Sequence, residues 1–251
     1  MDPIVTAHLL DINREFYQSF GPAFAATRRR IQPGVRRVLN SLPPGGDWLD
    51  LGCGSGALAC EWALTGRTGS YTGLDFSAAL LDEARLAATG LDPDGLRVEF
   101  IPVDLSAPDW AGGLPDSAAY TGVLAFAVLH HLPGAGLRHR LLSGVHRLLR
   151  PGGVFIHSEW QFQHSPKLLT RRQPWETVGL GTDEVEPGDT LLDWRYTLPG
   201  QAGQVGLRYV HLFSRAELSS LADETGFVIH DEFESDGEGG RLGLYQVWRA
   251  V

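Results

Sequence analysis

Residues 47–56 read Asp47-Trp48-Leu49-Asp50-Leu51-Gly52-Cys53-Gly54-Ser55-Gly56 and run directly into the helix-forming segment Ala57-Leu58-Ala59-Cys60-Glu61-Trp62-Ala63-Leu64. An apolar run, a glycine-rich loop and a helical segment in this order predict a strand, a tight turn and a helix. Glycine lets the backbone approach a ligand closely, and open α/β sheets bind nucleotides at the carboxyl ends of their strands. The stretch therefore predicts a ligand site at the edge of a parallel sheet.

The composition is that of an ordinary acidic globular protein. The chain has 251 residues, of which 43% are hydrophobic, and a formal charge of −9. The charge argues against a protein that holds nucleic acid over a broad face. The two cysteines, Cys53 and Cys60, are too few for a disulfide scaffold or a four-ligand zinc site, so no metal is expected. Because we find neither a membrane-length apolar run nor a basic leader, we expect a cytoplasmic protein and no membrane partner.

Strands and helices alternate from the glycine loop onward, which predicts a parallel, doubly wound sheet. The expected strands are 47–51, 70–75, 96–103, 120–129, 154–158, 228–233 and 242–248. Ser77 is the expected N-cap of a helix over 78–88, and Ser214-Arg215-Ala216-Glu217 is a capping box that begins the last helix. The expected fold class is α/β, with a mostly parallel, seven-stranded, Rossmann-like sheet.

Two regions lie outside this alternation. Residues 1–45 are expected to form a helical cap, with one helix over 6–20 that Gly21-Pro22 ends and a second helical stretch over 24–39 that Pro33-Gly34 interrupts. Residues 159–212 mix aromatic, proline and charged side chains without a regular period, and we interpret them as an insertion after strand five. A single domain over 1–251 is expected, in which 46–158 bind the ligand and 213–251 supply the last helix and two strands.

Three kinds of ligand are possible for the glycine loop. A phosphate-binding P-loop ends in a lysine and a hydroxyl residue, and this loop has neither. A dinucleotide site has the spacing Gly-x-Gly-x-x-Gly, whereas this loop has Gly52-x-Gly54-x-Gly56, with Asp50 ahead of it. The spacing resembles the first motif of the class I S-adenosylmethionine-dependent methyltransferases. That cofactor carries an ammonium and a sulfonium, which an acidic residue beside the loop attracts.

The resemblance to class I methyltransferases extends to the ends of the following strands. It implies that Asp75 binds the ribose hydroxyls, that Phe76 covers the adenine and that Asp104 accepts the adenine amine. Taken alone, strand-end aspartates often only cap helices. The expected residues at the site of S-adenosylmethionine and its product S-adenosylhomocysteine are Tyr17, Asp50, Gly52, Cys53, Gly54, Gly56, Asp75, Phe76, Ser77, Asp104, Leu105, Ala125 and Phe126.

Several segments are also similar to the tRNA methyltransferases that esterify carboxymethyl-uridine at the wobble position. These segments are Phe16-Tyr17, Phe24-Ala25-Ala26-Thr27-Arg28, Val128-Leu129-His130-His131-Leu132 and Arg208-Tyr209-Val210-His211-Leu212-Phe213. The chain departs from that family at Ala25, where the family has serine, and in its tail over 235–240. The resemblance implies a tRNA carboxylate as acceptor and, by analogy with eukaryotic members, a small protein activator.

A carboxylate acceptor needs positioning more than deprotonation, because it is already a nucleophile. Arg28 and Arg208 are the expected clamp, since a guanidinium binds a carboxylate through two hydrogen bonds. The expected substrate site consists of Arg28, Trp160, Arg208, Tyr209 and His211. His130 and His131 would be bases for a hydroxyl or amine acceptor, or only part of the pocket wall. Arg28 also belongs to an arginine run, which is typical of a solvated face.

Three functions follow from these patterns. The first is methylation of a carboxylate on a modified tRNA uridine. Its RNA contacts would come from basic residues at Arg28–Arg30, Arg36-Arg37, Arg138, Arg140 and Arg171-Arg172. The second is methylation of a small-molecule acid or phenol, which the acidic net charge favours. The third is a catalytically silent cofactor-binding protein, which the intact glycine loop with both Asp75 and Asp104 argues against.

Overall fold

The computed structural model describes residues 1–26, 30–90, 95–115, 117–196 and 203–251. Its strands are β1 (Asp47–Leu51), β2 (Gly69–Asp75), β3 (Leu96–Pro102), β4 (Tyr120–Phe126), β5 (Leu149–Trp160), β6 (Arg172–Gln173), β7 (Asp189–Tyr196), β8 (Gln204–His211), β9 (Phe227–Ser235) and β10 (Gly243–Ala250). Its α-helices are α1 (Pro3–Ala26), α2 (Pro33–Ser41), α3 (Ala57–Leu64), α4 (Ala78–Ala88), α5 (Ala135–Leu148), α6 (Pro166–Leu169) and α7 (Arg215–Glu224).

Seven of the strands form one sheet in the order β3-β2-β1-β4-β5-β10-β9. Strands β1 to β5 pair in parallel, and β10 is antiparallel to both of its neighbours. The expected fold class, a mostly parallel seven-stranded Rossmann-like sheet, is confirmed. The chain winds outward from β1 to β3 and then returns to place β4 on the other side of β1. This reversal opens a crevice at the carboxyl ends of β1 and β4, which is where open α/β sheets bind ligands.

The core lies on both faces of this sheet, because neighbouring residues of a strand point to opposite sides. In β1, Trp48 packs with Trp62 of α3 on one face, and Leu49 packs with Leu141 and Leu142 of α5 on the other. Helices therefore cover both faces of the sheet at β1. This packing fixes the backbone of β1 where the glycine loop begins.

The N-terminal helices differ from the expectation. We predicted that Gly21-Pro22 would end the first helix, but α1 continues to Ala26. The predicted second helical stretch over 24–39 is wrong at its start, because residues 24–26 belong to α1; α2 begins at Pro33, where the sequence predicts the interruption. Gly21 lies where α1 packs on α4, and a Cβ there would make an ordinary van der Waals contact with Leu80 at 3.7 Å. Tertiary packing outweighs the local breaker signal here.

The insertion contains a second sheet that the sequence pattern did not reveal. Strands β6, β7 and β8 form an antiparallel three-stranded sheet. Leu191 packs against α1 on one face, and Leu192 packs with Trp160 and Phe162 on the other. Because both faces are buried, β7 lacks the alternation of polar and apolar residues that marks a half-exposed strand. In the described part of the chain, no helix has the length and apolar character to span a lipid bilayer.

Candidate active site

The glycine loop after β1 has three glycines with positive φ: 68° at Gly52, 55° at Gly54 and 76° at Gly56. A side chain at Gly52 would lie 2.8 Å from Val128, and one at Gly56 would lie 2.8 Å from Ala84 of α4. Nothing lies within 4 Å of a Cβ at Gly54, which faces the cleft. Gly52 and Gly56 thus permit close packing, and Gly54 leaves open space for a ligand.

Asp75 holds the glycine loop against the start of α4. Its Oδ2 accepts the Gly54 N–H at 3.0 Å, and its Oδ1 accepts the Ser77 N–H at 2.9 Å. Burial raises the pKa of Asp75, and these backbone N–H groups act in the opposite direction. Each oxygen keeps a lone pair that can accept a ribose hydroxyl. Phe76 is 37% exposed beside it, in edge contact with Tyr17.

Asp50 lies one residue before the end of β1, as a buried carboxyl group next to the same loop. Tyr71 donates a hydrogen bond to its Oδ2. Burial raises the pKa of Asp50 to about 7; the Tyr71 hydrogen bond lowers it, and the charge of Asp75 raises it further. A cation bound here would favour the ionised form. The acid of the glycine motif is therefore poised to gain its charge when a cationic ligand arrives.

Asp104 has a neighbour that the sequence did not indicate. Its Oδ1 accepts hydrogen bonds from the N–H and hydroxyl of Ser106, at 2.8 Å and 2.6 Å, and its Oδ2 accepts one from Arg14 at 2.9 Å. Burial would raise the pKa of Asp104, but the bonds from Ser106 and Arg14 outweigh it and lower the pKa. An adenine amine would thus share this carboxylate with Arg14 of α1.

Tyr17 and His131 form a hydrogen-bonded pair in the wall of the cleft. The Nδ1 of His131 lies 3.2 Å from the carbonyl of Tyr209, which can only accept, so Nδ1 carries the proton. In the neutral ring, Nε2 then accepts the Tyr17 hydroxyl at 3.1 Å. This geometry fixes the tautomer of His131 and directs its basic nitrogen toward the cleft.

Arg208 reaches the cleft from β8 and is only 2% exposed. Its guanidinium carbon lies 4.9 Å from the ring centre of Phe16 and 5.1 Å from that of Trp160. Burial lowers the pKa of Arg208, and the charge and hydrogen bond of Tyr17 raise it. Two aromatic rings thus orient a cation at the acceptor side of the cleft.

His130 does not line the cleft, contrary to its expected role as a base. Its Nδ1 and backbone N–H lie 2.8 Å and 3.0 Å from Oε2 of Glu159, and all of these groups are fully buried. Its ring stacks on Trp160 with the centres 5.1 Å apart. His130 therefore supports the back of Trp160, which itself lines the cleft.

Tyr209 and His211 also lie behind the cleft wall and not at the expected substrate surface. The Tyr209 hydroxyl donates to Asp189 at 2.6 Å, and the His211 ring lies 2.7 Å from Asp189 and 2.9 Å from Glu217. Burial would lower the pKa of His211, but these two carboxylates outweigh it and raise the pKa. Direct contact of Tyr209 or His211 with an acceptor in this cleft is not supported.

Three of the expected cofactor residues do not line the cleft and instead support the fold around it. Gly56 packs on α4, Ala125 is fully buried in β4, and the Ser77 hydroxyl accepts the Leu80 N–H as the N-cap of α4. The other expected cofactor residues do line the cleft, namely Tyr17, Asp50, Gly52, Cys53, Gly54, Asp75, Phe76, Asp104, Leu105 and Phe126. Arg28 lies outside the described residues.

The cleft has a volume of about 820 Å³ and is lined by side chains of both charges. The part lined by the strand ends, the glycine-loop end, has the carboxyl groups of Asp50, Asp75 and Asp104, with Arg14 paired to Asp104. The part lined by the insertion, the insertion end, has the cations Lys167, Arg171, Arg195 and Arg208, with Asp193 bound to two of them, and Arg30 also lines the cleft. Sequence reasoning missed Lys167 and Arg195, although Lys167 stands out as the only lysine of the chain.

Comparison with known proteins identifies the family. The model of the methyltransferase domain family matches residues 24–232. The chain is 26% identical over 230 residues to the tRNA (carboxymethyluridine(34)-5-O)-methyltransferase of Schizosaccharomyces pombe, covering 84% of this chain and 86% of that protein.

Two solved structures share the fold. One is a SAM-dependent methyltransferase of Methanosarcina mazei, with a TM-score of 0.65, 23% identity, and coverage of 88% of this chain and 98% of that one. The other is a SAM-bound amino pentose methyltransferase of Micromonospora echinaspora, with a TM-score of 0.57, 21% identity, and coverage of 91% and 96%. The chain therefore belongs to the methyltransferase domain family, and it is an enzyme with the fold of the S-adenosylmethionine-dependent methyltransferases.

Proposed function

We propose that this enzyme transfers a methyl group from S-adenosylmethionine to a carboxylate, and that the carboxylate belongs to a modified uridine of tRNA. The supporting observation is that carboxyl groups of the strand ends and cationic side chains of the insertion line the same cleft. The carboxyl groups attract a cationic cofactor, and the cations attract an anionic acceptor.

The glycine-loop end fits the cofactor in shape and charge. Open space beside Gly54 admits a ligand close to the backbone. Asp50 offers an acid for the ammonium group, and Asp75 offers lone pairs for the ribose hydroxyls. The exposed ring of Phe76 offers a surface for the adenine. Bound here, the cofactor would supply an electrophilic methyl group.

The insertion end would hold the acceptor. Arg208 is oriented by Phe16 and Trp160, so its guanidinium can bind a carboxylate without losing much conformational freedom. An ionised carboxylate requires no base, and the contribution of these residues is to fix its oxygen and its charge. Arg28, the second arginine of the expected clamp, remains a prediction from the sequence.

The tRNA acceptor is supported by the relative from Schizosaccharomyces pombe, whose name specifies carboxymethyluridine 34. The aromatic lining of the cleft agrees with a base as part of the acceptor, since Trp160 and Trp194 both line it.

One observation favours a second acceptor, a small-molecule phenol. The basic Nε2 of His131 lies next to the Tyr17 hydroxyl in the cleft wall. A hydroxyl acceptor needs a proton acceptor in the transition state, and a neutral histidine serves this purpose at neutral pH. In this role His131 would receive the proton through Tyr17, whose hydroxyl would take the acceptor's proton and pass its own to Nε2.

Transfer of a radioactive methyl group distinguishes the two acceptors. The enzyme is incubated with labelled S-adenosylmethionine and bulk tRNA that mild alkali has stripped of existing methyl esters. We expect label in this tRNA, and less label in untreated tRNA, whose carboxylates are already esterified. A parallel incubation uses a metabolite extract; label that appears only there would contradict the tRNA acceptor.

A further inference from the structure

We propose that Lys167, Arg171 and Arg195 form a phosphate clamp at the mouth of the cleft, which holds the backbone of an RNA strand next to the methylated nucleotide. The proposal rests on the proposed function and deepens it, because it assigns the surface that receives the RNA. All three side chains line the same cleft as Trp160 and Arg208.

The two arginines of the phosphate clamp are held together by one carboxylate. The side chain of Asp193 is only 4% exposed. Its Oδ1 accepts a hydrogen bond from Arg171 at 3.2 Å, and its Oδ2 accepts two from Arg195 at 3.0 Å and 2.9 Å. Asp193 thus fixes two guanidinium groups side by side and leaves most of their N–H donors available for a further anion.

Charge at the mouth of the cleft contrasts with that of the whole chain. The chain carries a net charge of −9, yet Lys167, Arg171 and Arg195 line one cleft together with Arg30 and Arg208. Asp193 is the acid that contacts two of these cations. A local excess of cations on an acidic protein attracts a polyanion to one place and disfavours binding elsewhere.

The number of cations also exceeds what a small acceptor would use. Arg208 alone suffices for one carboxylate, because a guanidinium provides the matching pair of donors. A strand of nucleic acid uses the remaining cations, since each nucleotide brings a phosphate. Cations that flank aromatic side chains are typical of sites for single-stranded nucleic acid, where bases stack and phosphates pair. Trp160 and Trp194 supply the aromatic part here.

Binding of an unmodified anticodon stem-loop RNA tests the phosphate clamp without any methyl transfer. Fluorescence anisotropy over a series of salt concentrations gives the affinity and its salt slope for Arg171→Ala and Arg195→Ala. We expect an affinity loss of several fold for each variant at low salt, and a salt slope that falls by about 0.7 per lost phosphate contact. Affinity for S-adenosylhomocysteine should stay unchanged, which verifies folding.

Arg172→Ala is the matched control. Arg172 follows Arg171 in the chain and is exposed, but it does not line the cleft. We expect its RNA affinity to equal that of the wild type. An equal loss in Arg172→Ala would show general surface attraction and overturn the clamp. Wild-type affinity and slope in both Arg171→Ala and Arg195→Ala, or a wild-type enzyme that does not bind the RNA, would overturn it as well.

The outcome is separable from that of the proposed function. If RNA binding depends on Arg171 and Arg195 but tRNA accepts no label, the phosphate clamp stands and the proposed carboxylate acceptor is wrong. If tRNA is labelled while both variants bind RNA like the wild type, the acceptor stands and the clamp is wrong.

Discussion

Asp75 joins the glycine loop, α4 and the expected ribose site through one carboxylate. Its removal breaks the hydrogen bonds from Gly54 and Ser77 and leaves the loop without its anchor. Hydrogen bonds to charged groups contribute about 1.5–3 kcal/mol, so Asp75→Ala should lower the affinity for S-adenosylhomocysteine roughly tenfold to a hundredfold. Isothermal titration calorimetry measures this change.

Asp82→Ala is the control for that variant. Asp82 lies on α4 as well, but its carboxylate is largely exposed and pairs only with Arg85 among the described residues. We expect its cofactor affinity to match the wild type. Equal affinities in the wild type and Asp75→Ala would contradict the assigned site.

Asp50 predicts a pH dependence of cofactor binding. Burial raises its pKa to about 7, so the group is mostly protonated below that pH and has little attraction for an ammonium. Affinity for S-adenosylhomocysteine should therefore rise from about pH 6 to about pH 8 and then level off. Asp50→Asn should bind more weakly at about pH 8 and show a flat profile. A sloping profile in that variant would assign the titration to another group.

The raised pKa of Asp50 also affects stability, but stability should fall with rising pH whereas cofactor affinity rises. The ordinary pKa of an aspartate is 3.8, and the folded chain holds the Asp50 proton up to about 7. At pH values between these two pKa values, the folded state binds more protons than the unfolded state. The contribution of Asp50 to the free energy of unfolding therefore falls as pH rises through this range, and Asp50→Asn should remove that component in urea titrations.

Individual site residues were predictable where the chain itself brings them together. Asp50 and the glycines lie at the carboxyl end of one strand, and Asp75 ends the next, so a parallel sheet brings them together. His130 and Tyr209 were assigned to the cleft because their motifs resemble site motifs. Glu159 and Asp189, which hold these two side chains behind the wall, are distant in sequence. No local pattern reveals such a contact.

At the scale of elements, Asn13 connects α1 to the edge of the second sheet. Its side chain donates to the carbonyl of Tyr209 at 3.2 Å and accepts the Tyr209 N–H at 2.9 Å, and it also donates to the carbonyl of His131 at 3.1 Å. A side-chain amide therefore satisfies the free edge of β8. It also brings Tyr17 of α1 next to His131.

Asn13→Ala should destabilise the protein because the buried Tyr209 N–H loses its acceptor, and the carbonyls of Tyr209 and His131 each lose a donor. We expect the free energy of unfolding to fall by about 2 kcal/mol. Urea denaturation measures it. Glu15→Ala is the control, since Glu15 is an exposed residue of the same helix, and it should change stability by less than about 0.5 kcal/mol. Equal changes in the two variants would contradict the bridging role of Asn13.

Elements of the central sheet were predictable, and those of the cap and insertion less so. The predicted bounds of β1, α3 and α4 match the structure, because each has caps or glycines at its ends and one clear period. The strands of the second sheet were missed because burial on both faces removes alternation. The prediction that β4 extends to Leu129 is also wrong: it ends at Phe126, and residues Leu129–His131 form a 3-10 turn. Apolar residues continue past the strand there because Ala127 and Val128 line the cleft and Leu129 packs in the core.

At the scale of the whole molecule, Arg138 links α5, α7 and the insertion. Its guanidinium donates to Glu217 at 3.0 Å and to Glu186 at 3.2 Å, and it lies 3.9 Å from the buried Asp189. Arg138 is fully buried, so its predicted place in a surface basic patch is wrong. It neutralises a set of carboxylates that would otherwise repel one another.

Arg138→Met should leave the carboxylate of Asp189 buried without this cation. Removing one partner of a buried ion pair costs about 3–5 kcal/mol, which we expect in urea denaturation. Arg140→Met is the matched control, because Arg140 is exposed on the same helix, and its stability should be close to that of the wild type. A loss below about 1 kcal/mol in Arg138→Met would contradict the linking role.

The charge distribution of the cleft could not be predicted from the sequence. Arg30 and Arg171, which belong to visible basic runs, do line the cleft, but Lys167 and Arg195 are isolated cations in the sequence. Only the folded insertion brings Lys167 and Arg195 to the same cleft as Arg171 and Arg208.

The alkali stability of the transferred methyl group tests the central claim most directly. After incubation with labelled S-adenosylmethionine and alkali-stripped tRNA, the labelled product is treated again with mild alkali, and volatile label is counted. A methyl ester is hydrolysed and releases labelled methanol, whereas methyl groups on nitrogen, carbon or a phenol stay bound. Our account predicts release of nearly all label as volatile methanol. Label that remains on the RNA after alkali would contradict methylation of a carboxylate.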